Sequence, residues 1–181
     1  MAAVRHPWKW AAAVGLVVAL AMGALFVPLN AGVTRIVTAI DIARPPVDIF
    51  AYVTTPGNGP KWHPSCLAVE GADDHLLEVG ETVIEDFLVA GRRGRVTWRV
   101  TTREPFKQWR ISGEVDAHPA SVVTYTRAPT ATGTRFLREL EYRSPNLLFA
   151  LLNCISLRSR IDAESEQAVR QLKERLEVGT K

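Results

Sequence analysis

The spacing of apolar residues changes at Arg44. Before this residue they alternate with polar ones, which is the period of a half-buried strand, and after it they recur at the spacing of one helical face. Pro45 and Pro46 mark the change, because proline fixes φ near helical values and is tolerated in a first helical turn. The pattern predicts a strand that runs directly into a short helix over residues 34–54. The apolar residues that set it are Ile36, Ile40 and Ile42 in the strand and Val47, Phe50, Ala51 and Val53 in the helix.

Alternating segments in the middle of the chain predict an antiparallel sheet. Residues 95–101 and 108–112 alternate between apolar and polar side chains, so each strand is expected to bury one face only. Turns that contain glycine or proline separate the segments, among them residues 91–94 and 104–107. The predicted strands after the short helix cover residues 82–90, 95–104, 108–115, 121–127 and 134–142, and residues 67–71 are predicted as a short edge strand or a loop.

The last segment predicts one long helix over residues 145–178, straight or kinked. Its central part places apolar and small residues on one face, and Gly179 is a suitable stop. Its first turns, residues 147–155, are apolar nearly all round. Burial against the sheet is the default explanation, and contact with a bilayer or a ligand gate is the second. The buried face is predicted to contain Ile161, Ser165, Ala168, Leu172 and Leu176.

The segment of residues 40–53, followed by Trp62-His63-Pro64, resembles the opening of the polyketide cyclase/dehydrase and lipid transport superfamily, also called SRPBCC or START-like. The resemblance covers residues 34–178, because the later order of strands and helix also matches. It implies an α+β helix-grip fold, in which a curved antiparallel sheet of six to seven strands surrounds a long C-terminal helix. Two short helices follow the first strand, and a hydrophobic cavity lies between sheet and helix. The chain departs from this family at Gly59, where members often carry an aromatic residue.

The amino-terminal segment predicts a transmembrane helix. Residues 11–27 are uncharged and are apolar or glycine, and as a helix they span about 26 Å, slightly less than a hydrocarbon core of about 30 Å. Trp8 and Trp10 at one end provide aromatic anchoring, and the residues that follow extend the predicted span to residues 11–29.

This segment also predicts the domain organisation and the location of the protein. Residues 1–33 are expected to be the anchor and linker, and residues 34–181 the ligand-binding domain. Basic residues precede the helix, so the positive-inside tendency places the folded domain on the outer face of the membrane. A cleaved signal peptide is the alternative. A stripe of small residues would permit self-association, although such residues are also common in membrane helices; it comprises Ala11, Gly15, Ala19 and Gly23.

Composition and charge narrow the class of protein. The 181 residues suffice for one domain and a short appendage. The net charge is +3, of which Arg5 and Lys9 supply two, and the remaining +1 lacks the electrostatic footprint of a nucleic-acid binder. Cys66 and Cys154 are expected to be free thiols, with one disulfide as the alternative. The chain contains no phosphate loop, nucleophile elbow or paired-cysteine motif, so neither a metal nor a cofactor is expected.

Strand alternation predicts which side chains face the cavity. Arg138 is the anomaly of this face, because it shares the parity of Phe136 and Leu140 and a buried arginine is costly unless it is paired. Glu85, or Asp86 if the register shifts by one residue, is its natural partner. The alternative is that Arg138 reaches the rim and is solvated there. The predicted pocket residues are Trp62, Glu85, Phe87, Trp98, Trp109, Tyr125, Phe136, Arg138 and Tyr142.

Three functions are compatible with these features. The first is membrane-tethered binding or transport of a small hydrophobic ligand, a lipid or a polyketide-like molecule, without covalent chemistry. The second is an enzyme of the cyclase, hydratase or dehydratase kind that acts on a hydrophobic carbonyl compound. The third is a regulatory domain whose apolar helix start docks another membrane protein. A single histidine is more often structural than catalytic; the candidate acids, bases and carbonyl polarisers for the enzyme are His63, Glu85, Arg138 and Tyr142.

Overall fold

A seven-stranded antiparallel sheet forms the centre of the protein, whose computed structural model describes residues 7–28 and 32–178. Its strands are β1 (Val33–Ile42), β2 (Cys66–Gly71), β3 (Thr82–Val89), β4 (Arg92–Glu104), β5 (Gln108–Val115), β6 (His118–Thr130) and β7 (Gly133–Arg143). They are ordered β1-β7-β6-β5-β4-β3-β2, and neighbouring strands are antiparallel. Together with the long C-terminal helix, this sheet confirms the predicted α+β helix-grip fold.

Several helices begin at residues that favour a helix N-terminus. They are α1 (Pro7–Leu25), α2 (Pro46–Thr54), α3 (Gly59–Trp62), α4 (Leu147–Leu152) and α5 (Arg158–Val178). Pro46 occupies the first turn of α2, where its missing N–H costs nothing. The side chain of Asn146 caps α4 by accepting a hydrogen bond from the Phe149 amide at 2.9 Å. The two short helices after β1 and the long last helix are thus confirmed, and a π-helical segment over Asn153–Leu157 joins α4 to α5.

One face of the sheet, called the inner face below, is covered by α2, α3 and α5. Val100, Ile111, Val123 and Leu140 lie in one row across four neighbouring strands, each opposite the next. Cross-strand partners share a face, so this register confirms the predicted alternation. The buried face of α5 also agrees with its helical spacing, since Ile161, Ser165, Ala168 and Leu172 are buried and Leu176 is half-buried.

A β-bulge in β4 changes which residues face inward near the end of that strand. The register shifts between Val100 and Thr102, so Val100 is opposite Ile111 whereas Arg103 is opposite Trp109. Even-numbered residues face inward before the bulge and odd-numbered ones after it. Arg103 therefore lies on the inner face, which strict alternation along the whole strand would not predict.

The hairpin between β3 and β4 is tighter than predicted. Its turn consists of Ala90 and Gly91, which have φ values of 50° and 82°. Two-residue hairpins favour such left-handed backbone because its twist matches that of the strands, and glycine adopts it without steric cost. The predicted turn over residues 91–94 is wrong, because residues 92–94 belong to β4.

Helix α1 ends before the predicted anchor does. It ends at Leu25, and the chain turns at Phe26 and Val27. In the part of the chain that the structure describes, no helix is both long and apolar enough to cross a membrane. The predicted transmembrane span over residues 11–29, whose last residue lies outside the described part, is not confirmed.

Candidate functional site

Arg138 lies in the middle of the inner face. It belongs to β7, opposite Tyr125 on β6 and Thr38 on β1. Only 5% of its surface is exposed, so the alternative of a solvated arginine at the rim is wrong. Its Nη1 donates a hydrogen bond of 2.9 Å to Oγ of Ser165 on α5, which joins sheet and helix at this point. Its Nε is buried without a partner, so the guanidinium can still donate to an acceptor that reaches it.

Glu85 lies near Arg138 but has other hydrogen-bond partners. Its Oε2 accepts a hydrogen bond of 2.7 Å from the indole nitrogen of Trp98, and its carboxyl group also interacts with the thiol of Cys66. Burial raises the pKa of Glu85, while the hydrogen bonds and the charge of Arg138 act in the opposite direction. Among the described residues the two side chains form no ion pair. Asp86 is not a substitute, because it pairs with Arg95 at 2.9 Å.

Cys66 approaches Glu85 across the start of β2. The chain packs tightly here, since a Cβ added to Gly59 would lie 3.0 Å from the Cys66 sulfur. Burial and the neighbouring carboxyl group raise the pKa of Cys66, so the thiol is protonated at neutral pH. Cys66 and Cys154 are both free, as expected. The missing side chain at Gly59 is therefore what admits the thiol to this cluster.

His63 and Tyr125 complete the polar cluster around Arg138. His63 ends α3, and its Nδ1 is buried without a hydrogen-bond partner. Burial and, to a lesser extent, the charge of Arg138 place the pKa of His63 well below its usual value, so the imidazole is neutral. Burial raises the pKa of Tyr125 to about 12, against the opposing effect of Arg138. At neutral pH the cluster thus has a cationic centre with a neutral imidazole, phenol and thiol near it.

Aromatic side chains surround this cluster and pack against one another. The Trp109 and Tyr125 rings are stacked with centroids 5.5 Å apart, and Phe136 contacts Tyr125 at 5.4 Å. Trp62 meets Tyr125 edge-on at 6.0 Å. The residues predicted to line a cavity therefore fill the middle of the inner face themselves in this structure. A ligand that enters here replaces ring–ring contacts, which are favourable by about 0.5–1.5 kcal/mol each.

The other predicted site residues lie around the cluster or away from it. Trp98 is half-buried against the core and reaches Glu85, as described above. Phe87 is also half-buried and lies against Gly94 on the neighbouring strand. Tyr142 packs in a separate apolar cluster, and its hydroxyl donates to Oδ1 of Asn153 at 2.6 Å. The structure thus brings His63, Glu85 and Arg138 together and leaves Tyr142 apart.

Sequence reasoning missed three polar residues of the inner face, namely Arg103, described above, Cys66 and Arg127. Cys66 is predicted only as a free thiol, and the pairing of β2 with β3 sets it opposite Phe87, where its sulfur reaches the Glu85 carboxyl group. Arg127 follows Tyr125 by two residues on β6 and is 4% exposed. The alternation of β6 contained the signal for Arg127, but the predicted strand ended at this residue.

Comparison with known proteins agrees with this architecture. The family model described as "Polyketide cyclase / dehydrase and lipid transport" matches residues 33–177. A protein from Mesorhizobium loti superposes with a TM-score of 0.59 at 21% identity, covering 80% of this chain and 98% of its own. A protein from Rhodobacter sphaeroides gives 0.59 at 22% identity, with coverages of 80% and 93%. A Polyketide_cyc-like protein from Corynebacterium glutamicum gives 0.56 at 18% identity, with coverages of 82% and 94%. No curated protein matches the chain significantly. At these identities the structural matches establish the fold alone.

Proposed function

The chain belongs to the polyketide cyclase / dehydrase and lipid transport family, and on this premise we propose that it binds a small hydrophobic ligand on the inner face of its sheet. An oxygen of the ligand, in a carbonyl or carboxyl group, accepts hydrogen bonds from Arg138. The body of the ligand is a lipid chain or a polyketide-like ring system that packs on the aromatic residues.

The observation that carries this proposal is the polar cluster inside an apolar shell. Arg138 is buried, it interacts with the neutral hydroxyls of Ser165 and Tyr125, and its Nε has no partner. Trp62, Trp109 and Phe136 are nearly completely buried around it. Binding sites for small molecules commonly combine an apolar wall with a few polar groups that fix the orientation of the ligand. The cluster supplies such groups at one point of an otherwise apolar surface.

Entry of the ligand requires part of the aromatic packing to open. Helix α3, with Trp62 and His63 at its end, consists of only four residues and begins directly after a 3₁₀ turn at Pro56–Asn58. Short elements of this kind have little internal stability and depend on tertiary contacts. We therefore assign the opening to α3 and its flanking turns.

Native mass spectrometry of protein purified without delipidation tests the proposal. The wild-type protein is expected to carry a co-purified hydrophobic molecule, and Arg138→Gln to weaken its retention by about tenfold or more, because a charged donor is lost. Arg92→Gln, on the exposed hairpin, is the matched control and should retain the molecule. Circular dichroism establishes that each variant is folded. Wild-type protein that carries nothing and binds neither a fatty acid nor an aromatic polyketide probe contradicts the proposal.

An enzyme is the second candidate, favoured by the proximity of two groups with displaced pKa values. The pKa of Glu85 is raised and that of His63 is lowered, so the pH ranges of a protonated carboxyl and a neutral imidazole move towards each other. In a dehydration, His63 would take a proton from the carbon beside a carbonyl held by Arg138. Glu85 would protonate the departing hydroxyl, which leaves as water. Turnover of a β-hydroxy carbonyl compound that is abolished in Glu85→Gln would support this activity, and mere binding without turnover would exclude it for that compound.

The location of the protein and its self-association stay predictions. Helix α1 exposes its apolar side chains along its length, and Gly15 and Gly23 have open space around their Cα atoms. A bacterial two-hybrid comparison of wild type with Gly15→Leu and Gly23→Leu tests self-association, and equal signals would dismiss it. Fractionation of cells that express residues 1–181 or 34–181 tests membrane location.

A further inference from the structure

The buried polar atoms of the inner face contain a surplus of hydrogen-bond donors. In the described part of the chain, every buried side-chain atom without a hydrogen-bond partner is a nitrogen. Apart from the Nδ1 of His63, whose role depends on its tautomer, each of these atoms carries a proton to donate. Buried polar groups in folded proteins nearly always have a hydrogen-bond partner. The unpaired groups of the inner face are donors, so the partner they lack is a hydrogen-bond acceptor. The donors are Nε1 of Trp62 and Trp109, Nε of Arg103 and Arg138, and all three guanidinium nitrogens of Arg127.

Arg127 concentrates this surplus at the end of the sheet that α2 covers. It lies opposite Phe136, and its guanidinium carbon is 4.3 Å from the ring centre of Phe50 on α2. It is 4% exposed. Burial alone lowers the pKa of Arg127 to about 10, and no carboxyl group contributes a compensating shift. The guanidinium is thus buried against an aromatic ring without an anionic partner, an arrangement that is costly in isolation.

A second arginine lies over the same ring. The bulge in β4 turns Arg103 inward, and its guanidinium carbon is 5.7 Å from the centre of Phe50. Its Nη1 pairs with Glu78, an exposed residue, while its Nε is buried without a partner. One-fifth of the Arg103 side chain is accessible to solvent, so this end of the inner face reaches the surface. Glu78 balances the charge of Arg103 in part, whereas no carboxyl group acts on Arg127, so the pair of guanidinium groups keeps a net positive charge.

The turn between β4 and β5 covers the Phe50 ring and the two arginines, Arg127 and Arg103, that lie over it. Phe106 at its tip meets Phe50 edge-on at 5.7 Å and is half-exposed. Its φ of 62° is unusual for a bulky residue, which marks the turn as a strained element. The carbonyl of Lys107, the next residue, accepts a hydrogen bond from the Arg127 amide at 3.0 Å. The turn is therefore attached to the strand that carries Arg127, and its half-exposed tip packs on the same Phe50 ring.

We propose that Arg127 and Arg103 form an anion-binding site against Phe50 that takes a carboxylate or phosphate group. Arg127 presents a planar fork of unpaired donors, which suits bidentate binding of either oxyanion. The ring of Phe50 packs against the planar guanidinium of Arg127 and fixes its orientation. Arg103 adds a second guanidinium group over the same ring. The site lies next to the Arg138 cluster, with Arg127 two residues beyond Tyr125 on β6, but it does not depend on the proposed hydrophobic ligand.

Side-chain NMR combined with thermal unfolding tests the site. The Nε–H resonance of Arg127 is followed while sodium phosphate or sodium butyrate is added, with sodium chloride at matched ionic strength as reference. One or both oxyanions are expected to shift this resonance saturably and to raise the Tm, whereas chloride does neither. A response to butyrate alone identifies a carboxylate site, and a response to phosphate alone identifies a phosphate site.

Two substitutions of Arg127, with Arg92→Gln as control, distinguish an anion-binding arginine from a purely structural one. Arg127→Met is expected to weaken oxyanion binding by about tenfold or more, since two charged hydrogen bonds are lost, and Arg92→Gln to leave it unchanged. Arg127→Lys keeps the charge but not the fork, and intermediate binding is expected. Should Arg127→Met fail to fold, the wild-type titration and the lysine variant decide. A resonance of Arg127 that responds to neither oxyanion, as for an arginine bound by ordered water only, overturns the proposal, and so does unchanged binding by Arg127→Met.

Discussion

Arg138 and Arg127 face the same side of the sheet and are equally buried, yet their surroundings differ. Arg138 donates to Ser165 and lies in the field of the Glu85 carboxyl group. Arg127 has the ring of Phe50 on one side, and all its guanidinium nitrogens are unpaired. Burial of a charge is tolerated when nearby groups compensate for lost hydration. The first arginine is thus largely compensated from within the protein, and the second depends on something added to it.

This difference has a consequence for ligands. An acceptor that reaches Arg138 competes with interactions already present, so its binding is weakened by the cost of replacing them. An anion that reaches Arg127 meets donors that have no partner, so its hydrogen bonds displace none within the protein and oppose only the cost of dehydrating the anion. Apolar contacts are therefore expected to dominate affinity at the centre of the inner face, and charge at its end.

The same substitution at both positions gives the largest contrast. Arg138→Met is expected to lower the free energy of unfolding by about 2 kcal/mol, because it removes the hydrogen bond to Ser165 and leaves Glu85 buried without a nearby positive charge. Urea denaturation in a chloride buffer free of carboxylates and phosphate measures the change. Arg92→Met on the exposed hairpin is the control and should stay within about 0.5 kcal/mol of wild type. A loss below 0.5 kcal/mol for Arg138→Met would mean that the cluster does not compensate this charge.

Arg127→Met is expected to have the opposite sign. In the same chloride buffer it should raise the free energy of unfolding by about 1 kcal/mol, since an unpaired buried cation is replaced by an apolar side chain of similar length. The loss of the contact with Phe50 opposes this gain but is smaller than the cost of burying the charge. The decisive observation is that the free energy of unfolding changes with opposite signs in Arg127→Met and Arg138→Met. If both variants lose stability equally, the two arginines are compensated alike and the contrast fails.

The sequence predicted Arg138 because its strand alternates without interruption. β7 keeps strict alternation, so the shared parity of Arg138 and Phe136 was sufficient to place both on the inner face. The first strand and helix were also predictable, since the proline pair fixes where one ends and the other begins. Arg103 could not be placed in this way, because the bulge in β4 depends on pairing with β5 and has no marker in β4 itself.

Hydrogen-bond partners were less predictable than strand faces. Alternation put Glu85 and Arg138 on one face, but the distance between them depends on the three strands that separate β3 from β7. Trp98 is directly across from Val83 on the neighbouring strand, so its indole nitrogen reaches Glu85 from close by. Glu85 therefore accepts a hydrogen bond from the neutral indole of Trp98 on the adjacent strand. The sequence had suggested the charged side chain of Arg138 as its partner.

The smallest expected effect is the contribution of Glu85 to the pH dependence of the free energy of unfolding. Burial raises its pKa in the folded state above the usual value of 4.5, and Arg138 offsets this only in part. A carboxyl group with a raised folded-state pKa binds its proton more tightly when folded, so its contribution to stability is present below pH 4.5 and is lost as the pH rises through the folded-state pKa. In an ion pair with Arg138 the sign would be reversed, because the pKa would be lowered and stability would grow with pH.

Glu85→Gln isolates this contribution, since glutamine keeps an acceptor for Trp98 but does not titrate. The free energy of unfolding of wild type and variant is measured by urea denaturation between pH 4 and pH 8, with Asp86→Asn as a control on the opposite face. The difference, wild type minus Glu85→Gln, is expected to fall as the pH rises from 4.5 towards neutrality. A difference that increases with pH would show that Glu85 is held as the carboxylate by Arg138. The charge of Arg138 would then be fully balanced from within, and the two arginines would differ even more than their contacts indicate.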